Sequence, residues 1–93
     1  MNRPLIQTTA FVRSAKRILK RRPELISRVS ETLSLLETDA FDPRLRSHKL
    51  QGSLSGYWSC SVEHDLRIVF EFVQDQGVEA IMLASIGSHD EVY

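Results

Sequence analysis

The spacing of apolar residues changes once along this chain, from helical before Gly52 to alternating after it. That change restricts the possible folds more than any other feature. Phe11, Val12, Ala15, Ile18 and Leu19 follow the i, i+4, i+7, i+8 pattern and predict an amphipathic helix over 10–22. Arg13, Lys16, Arg17, Lys20 and Arg21 fall mostly on its other side. Thr8 or Thr9 is placed to cap it, and Pro23 ends it and begins the next helix. Leu25, Ile26, Val29, Leu33 and Leu36 mark that second stripe, and the very short connection predicts an antiparallel helical hairpin. "DAFDPRLR" (39–46) breaks the pattern, with Phe41 and Leu45 expected to pin the loop to the core.

Beyond Gly52, Trp58, Cys60 and Val62 alternate with Tyr57, Ser59 and Ser61. In the next run Leu66, Ile68, Phe70 and Phe72 alternate with Arg67, Val69, Glu71 and Val73. "QDQG" reads as a turn, and "VEAIMLASI" as a central strand. "PLIQT" (4–8) reads as an edge strand at the start. The predicted order is β-α-α-β-β-β: one α+β domain over residues 1–93, with a helical hairpin covering one face of a mostly antiparallel sheet.

The formal net charge is zero, yet residues 1–49 hold eleven of the twelve Lys and Arg against five acids. Residues 50–93 hold one base, Arg67, against seven acids. The basic half fits either a polyanionic partner or a pair of solvated helices. Arg67 also lies within an apolar strand, where a charge is costly unless paired or solvated. It is either paired with Glu63, Glu71 or another nearby acid, or left open as an anion clamp. A single cysteine, Cys60, gives no internal disulfide and no thiolate zinc site, and fits a reduced, cytoplasmic setting. It reads as buried packing, as does Trp58. No apolar run approaches a membrane span, and "MNRPLIQTTA" lacks a signal peptide's apolar stretch.

Five short pieces follow one another in the second half: His48, Leu50-Gln51-Gly52, Gly56-Tyr57-Trp58, Arg67 and Gly87-Ser88-His89. In this order, after two basic helices, they resemble the RelE/YafQ-like family of bacterial type II toxins, which are ribosome-dependent mRNA endonucleases. The resemblance implies a RelE-like two-layer fold, mRNA on the ribosome as substrate, a cognate antitoxin as partner, and no metal or cofactor. His48 aligns with a catalytic histidine of the YafQ branch and with a glutamate in the YoeB branch. Arg67 aligns with the strand arginine that contacts the scissile phosphate in RelE and YoeB. Asp65 aligns with a functional aspartate of the YafQ branch, His89 with the closing histidine of the YafQ and YoeB branches, and Tyr93 with a C-terminal aromatic of YafQ. The chain departs from the pattern at Ser61, where the YafQ branch has a histidine, and in its neutral charge; His64 reads as a turn residue.

Transesterification of RNA needs a base for the 2′-hydroxyl, an acid for the leaving 5′-oxygen and a cation at the phosphorane. Imidazole suits both proton roles, and guanidinium matches phosphate oxygens. On this reading His48 is the base or its orienting partner and His89 the acid, with exchange of the two left open. Arg67 binds the phosphate, with Lys49 a weaker second cation and Arg13, Lys16, Arg17 and Lys20 further RNA contacts. Asp65 orients His48 or His89 or assists proton transfer, and Tyr93 stacks on or positions the substrate. Gly87 lets the chain turn off the last strand. A non-catalytic ParE-like gyrase inhibitor and an RNA- or protein-binding module are the competing functions. Codon preference and oligomeric state are left open.

Overall fold

A computed structural model of the chain describes residues 2–93. β1 (Leu5–Gln7) leads into α1 (Thr9–Arg21) and α2 (Ile26–Thr38), followed by β2 (His48–Lys49), β3 (Trp58–Glu63), β4 (Leu66–Asp75), β5 (Val78–Gly87) and the single turn α3 (His89–Val92). The sheet order is β1-β5-β4-β3-β2. Only the β1–β5 pair is parallel, so the mostly antiparallel meander with an added edge strand is as expected. β2 and α3 are additions to the predicted order, and both carry residues of the site.

Local chemistry explains the joints. The Thr8 hydroxyl accepts from the Phe11 N–H at 3.1 Å, capping α1, and donates to the Leu83 carbonyl at 2.7 Å, which ties that cap to β5. Pro23 does not open the second α-helix directly. It opens a 3₁₀ turn, Pro23–Leu25, that drives Leu25 into the core before α2 begins at Ile26. Buried Thr32 inside α2 is satisfied by donating to the Arg28 carbonyl at 2.8 Å.

Phe11, Leu25, Val29 and Leu36 from the helices meet Cys60, Ile68, Phe70, Ile81 and Leu83 from the sheet. Leu83 and Ile86 both reach this core although they stand three apart, because the register shifts opposite Val69/Phe70. Leu45 pins the 39–46 loop as expected, being 1% exposed. Phe41 does so only from outside: it is 52% exposed and lies against Trp58 and Phe72, with centroids 5.4 and 5.7 Å away.

Candidate active site

Ser59, Ser61 and Arg67 alternate with the core residues Cys60, Val62 and Ile68 and so stand on the sheet face turned away from the core. Strand pairing places Ser61 beside Arg67 and Arg67 beside Gly87, while His48 on β2 stands beside Ser59. A pocket of about 340 Å³ opens on this face, lined by Arg46, His48, Ser61, Arg67, His89 and Tyr93. Residues as far apart in sequence as Arg46 and Tyr93 are thus brought together by the strand order.

Arg67 is half-buried, and its Nη1 donates to the Ser61 hydroxyl. None of the ion pairs among the described residues involves it. Glu63, one of its expected partners, is instead held by Arg22 at 3.0 Å. The guanidinium therefore faces the pocket with its charge uncompensated by a carboxylate.

His48 is exposed, and its Nδ1 lies 3.1 Å from the Arg46 carbonyl oxygen. A carbonyl can only accept, so Nδ1 is the donor, and in the neutral ring this leaves the lone pair on Nε2. Arg46 presents that carbonyl from a left-handed conformation, φ 53° and ψ 41°, at the end of the 3₁₀ turn Pro43–Leu45. Such a conformation costs a non-glycine residue about 1–2 kcal/mol.

His89 and Tyr93 arrive on α3, which a capping box secures. The Ser88 hydroxyl accepts from the Glu91 N–H at 3.3 Å, and the Glu91 carboxylate accepts from the Ser88 N–H at 2.9 Å. That backbone bond, with the hydroxyl's help, holds the Glu91 carboxyl below its ordinary range. Arg17 of α1 adds a 3.4 Å contact to Glu91. The His89 and Tyr93 rings meet edge-on with centroids 4.5 Å apart, and the Tyr93 hydroxyl donates to buried Ser59. α3 thus folds back across the sheet face rather than trailing from it. Gly87 is needed for a reason other than the expected one. Its φ is not positive; instead, a Cβ there would stand 3.0 Å from the Glu91 Cβ and 3.2 Å from the Val92 Cγ1.

The other residues that the sequence singles out for the site lie elsewhere. Asp65 lines a separate pocket of about 210 Å³ with Arg17, Arg21, Arg22, Ser88 and Glu91. Lys49 alternates with His48 and so points to the other face, its Nζ 5.7 Å from the Trp58 ring centroid. Arg13, Lys16, Arg17 and Lys20 are exposed along α1. Cys60 is buried as expected, and burial pushes its thiol up to about 12. Three residues of the site carry no signal that sequence reasoning used: Arg46, Ser61 as the arginine's anchor, and Ser59 as the tyrosine's. The pattern Ser88-x-x-Glu91 is a legible capping box that would have predicted α3; nothing local marks Arg46.

A five-stranded sheet backed by two helices is the fold of the RelE, YoeB and YafQ toxins. The structure is similar to YafQ from E. coli strain BL21(DE3), with TM-score 0.78 and 18% identity over 98% of each chain. It is also similar to YafQ in the E. coli DinJ–YafQ toxin–antitoxin complex (TM-score 0.77, 19% identity, 100% of this chain and 99% of that one). The YoeB dimer from Staphylococcus aureus gives TM-score 0.73 at 21% identity, over 96% and 99%. No curated protein matches the sequence. Residues 3–93 match the family model described as the bacterial toxin of the type II toxin–antitoxin system, YafQ, and the chain belongs to that family.

Proposed function

We propose that this toxin is an endoribonuclease that cuts mRNA on the ribosome by transesterification. The observation that carries the reading is one pocket holding an acid-free arginine between two histidines. The neutral His48 ring, donating from Nδ1 to the Arg46 carbonyl, takes the proton of the 2′-hydroxyl at Nε2. The 2′-oxygen attacks phosphorus, Arg67 binds the non-bridging oxygens as charge builds on them, and the P–O5′ bond breaks. His89 gives its proton to the departing 5′-oxygen, leaving a 2′,3′-cyclic phosphate and a 5′-hydroxyl. Tyr93, fixed at its hydroxyl end, offers its ring to a base. Asp65 has no place in this scheme, since it lines another pocket.

The cognate partner is an antitoxin protein, as DinJ is for YafQ in the solved complex. The exposed cations of α1 suit such a partner or ribosomal RNA equally.

The test is primer-extension mapping of transcripts after brief induction, comparing the parent with His48→Ala and His89→Ala. In-frame cuts that vanish in both variants support the reading. Growth arrest that survives the double substitution sinks it and favours a ParE-like inhibitor or a binding module.

A further inference from the structure

The active-site pocket continues into a second one of about 360 Å³, and Arg46, Ser61 and Arg67 line both. The second pocket adds Arg28 from α2 and Arg44 from the Pro43–Leu45 turn, so four guanidinium groups border one space. Glu63 is the acid in its wall, and Arg22 already holds that carboxylate at 3.0 Å. The two added arginines are positioned rather than loose. Arg28 Nη2 donates to the Val62 carbonyl at 2.9 Å, and Arg44 grips Asp42 through bonds of 3.0 and 2.9 Å. Each guanidinium has five donors, so both keep donors for a ligand.

An RNA strand whose scissile phosphate rests on Arg67 must lead its neighbouring phosphate away from that point. The space continuous with Arg67 is lined for an anion. We propose that the pocket bordered by Arg28, Arg44 and Arg46 is a second phosphate subsite, which takes the phosphodiester adjacent to the one being cut. The proposal rests on the endoribonuclease reading above. An acidic segment of a protein partner is the competing occupant. RNA is favoured because the pocket shares three wall residues with the cleavage pocket, and because Val62 is its one apolar residue.

The test uses 2′-O-methyl oligoribonucleotides, which lack the nucleophile and cannot be cut. A dinucleotide carries one internucleotide phosphate and a trinucleotide two. The parent is expected to bind the trinucleotide about ten-fold more tightly than the dinucleotide. Arg28→Gln with Arg44→Gln removes most of that gain, leaves dinucleotide affinity unchanged, and lowers the log–log salt slope by about 0.7. Arg28→Lys with Arg44→Lys keeps the salt slope and serves as the folded control, its melting temperature matching the parent's. An unchanged trinucleotide gain in the glutamine variant overturns the proposal. So does a variant that loses polyglutamate binding while its trinucleotide gain stays intact, since the pocket then belongs to an acidic partner. A parent that cuts no transcript yet shows the arginine-dependent gain sinks the endonuclease reading and leaves the subsite standing.

Discussion

Replacing Gly87 by alanine adds one methyl group where β5 hands over to α3. The new Cβ would lie 3.0 Å from the Glu91 Cβ, 3.1 Å from the Glu91 Oε1 and 3.2 Å from the Val92 Cγ1. Contacts that short must be relieved, and such overpacking typically costs about 1–3 kcal/mol. The relief has two possible sources of unequal stiffness. β5 is clamped between β1 and β4 and pairs with β4 along its length. α3 is a single turn, too short to persist alone, held by its capping box, the Arg17 contact and the Tyr93 hydroxyl. The helix therefore yields, carrying His89 and Tyr93 off the pocket while the core stays packed. If about 1–2 kcal/mol falls on α3 docking, the ratio of closed to open α3 drops by about 5–30-fold, and the closed population by up to as much. The assay is the initial rate of cleavage of a ribosome-bound transcript, paired with thermal melting. The expected result is a loss of that size with a melting temperature within a few degrees of the parent. Ser88→Ala, which removes the cap at a cost of about 1 kcal/mol, acts in the same direction. A folded Gly87→Ala protein that cuts at the parental rate would show that α3 need not sit where it does. A large drop in melting temperature would refute the division of stiffness.

Tyr93→Phe removes one hydrogen bond to Ser59 and is expected to slow cleavage about five-fold, with Ser59→Ala no worse in combination than alone; additive losses in the double variant would rule out a shared bond. Cys60 should resist iodoacetamide in the native protein at pH 8 and react only as fast as the chain opens, because burial pushes its thiol up to about 12. By the same linkage its contribution to stability is complete below the ordinary thiol value and is lost as pH climbs toward about 12, so Cys60→Ala should flatten the alkaline side of a melting-temperature profile. The Asp42 carboxyl is pulled from 3.8 down to about 2 by the Arg44 guanidinium and by the Arg44 backbone N–H. Its contribution is present above the ordinary value and disappears as pH falls through about 2; Asp42→Asn should erase that part of the acid transition, and an unchanged transition would count against the pairing.

The fold is legible in the sequence because its signals are periodic. Two helical stripes, two alternating runs and one nearly continuous apolar run place every long element, and the proline and the threonine cap locate the joints. What escapes is short or depends on contacts distant in sequence. β2 is two residues long and exists because His48 and Lys49 find β3 beside them. Arg46 cannot be singled out, since its part comes from a left-handed backbone that no local residue preference announces. Ser61 reads as a loss, a hydroxyl where the YafQ branch has imidazole; in the structure it anchors the arginine. Asp65 and Lys49 show the opposite failure. Each sits within two residues of a pocket residue, but strand alternation or the turn after β3 sends it elsewhere. Nearness in sequence is a poor guide to sharing a face when the period is two.

The strand order also explains how two histidines far apart in sequence come to line one pocket, as the proposed reaction requires. In-line displacement at phosphorus requires base and acid on opposite sides of the phosphate. β2 carries His48 at one side, β3 and β4 lie between, and β5 delivers α3 with His89 at the other. Three strand spacings amount to about 14 Å between the outer backbones. Arg67 stands between the two histidines on the third strand of the four, and all three residues line one pocket. The same order makes the site depend on α3, because β5 ends level with Arg67 and the acid must be brought back over the sheet by the turn that follows. On the proposed reaction the acid is thus carried by a single helical turn that its capping box, Arg17 and the Tyr93 hydroxyl hold in place.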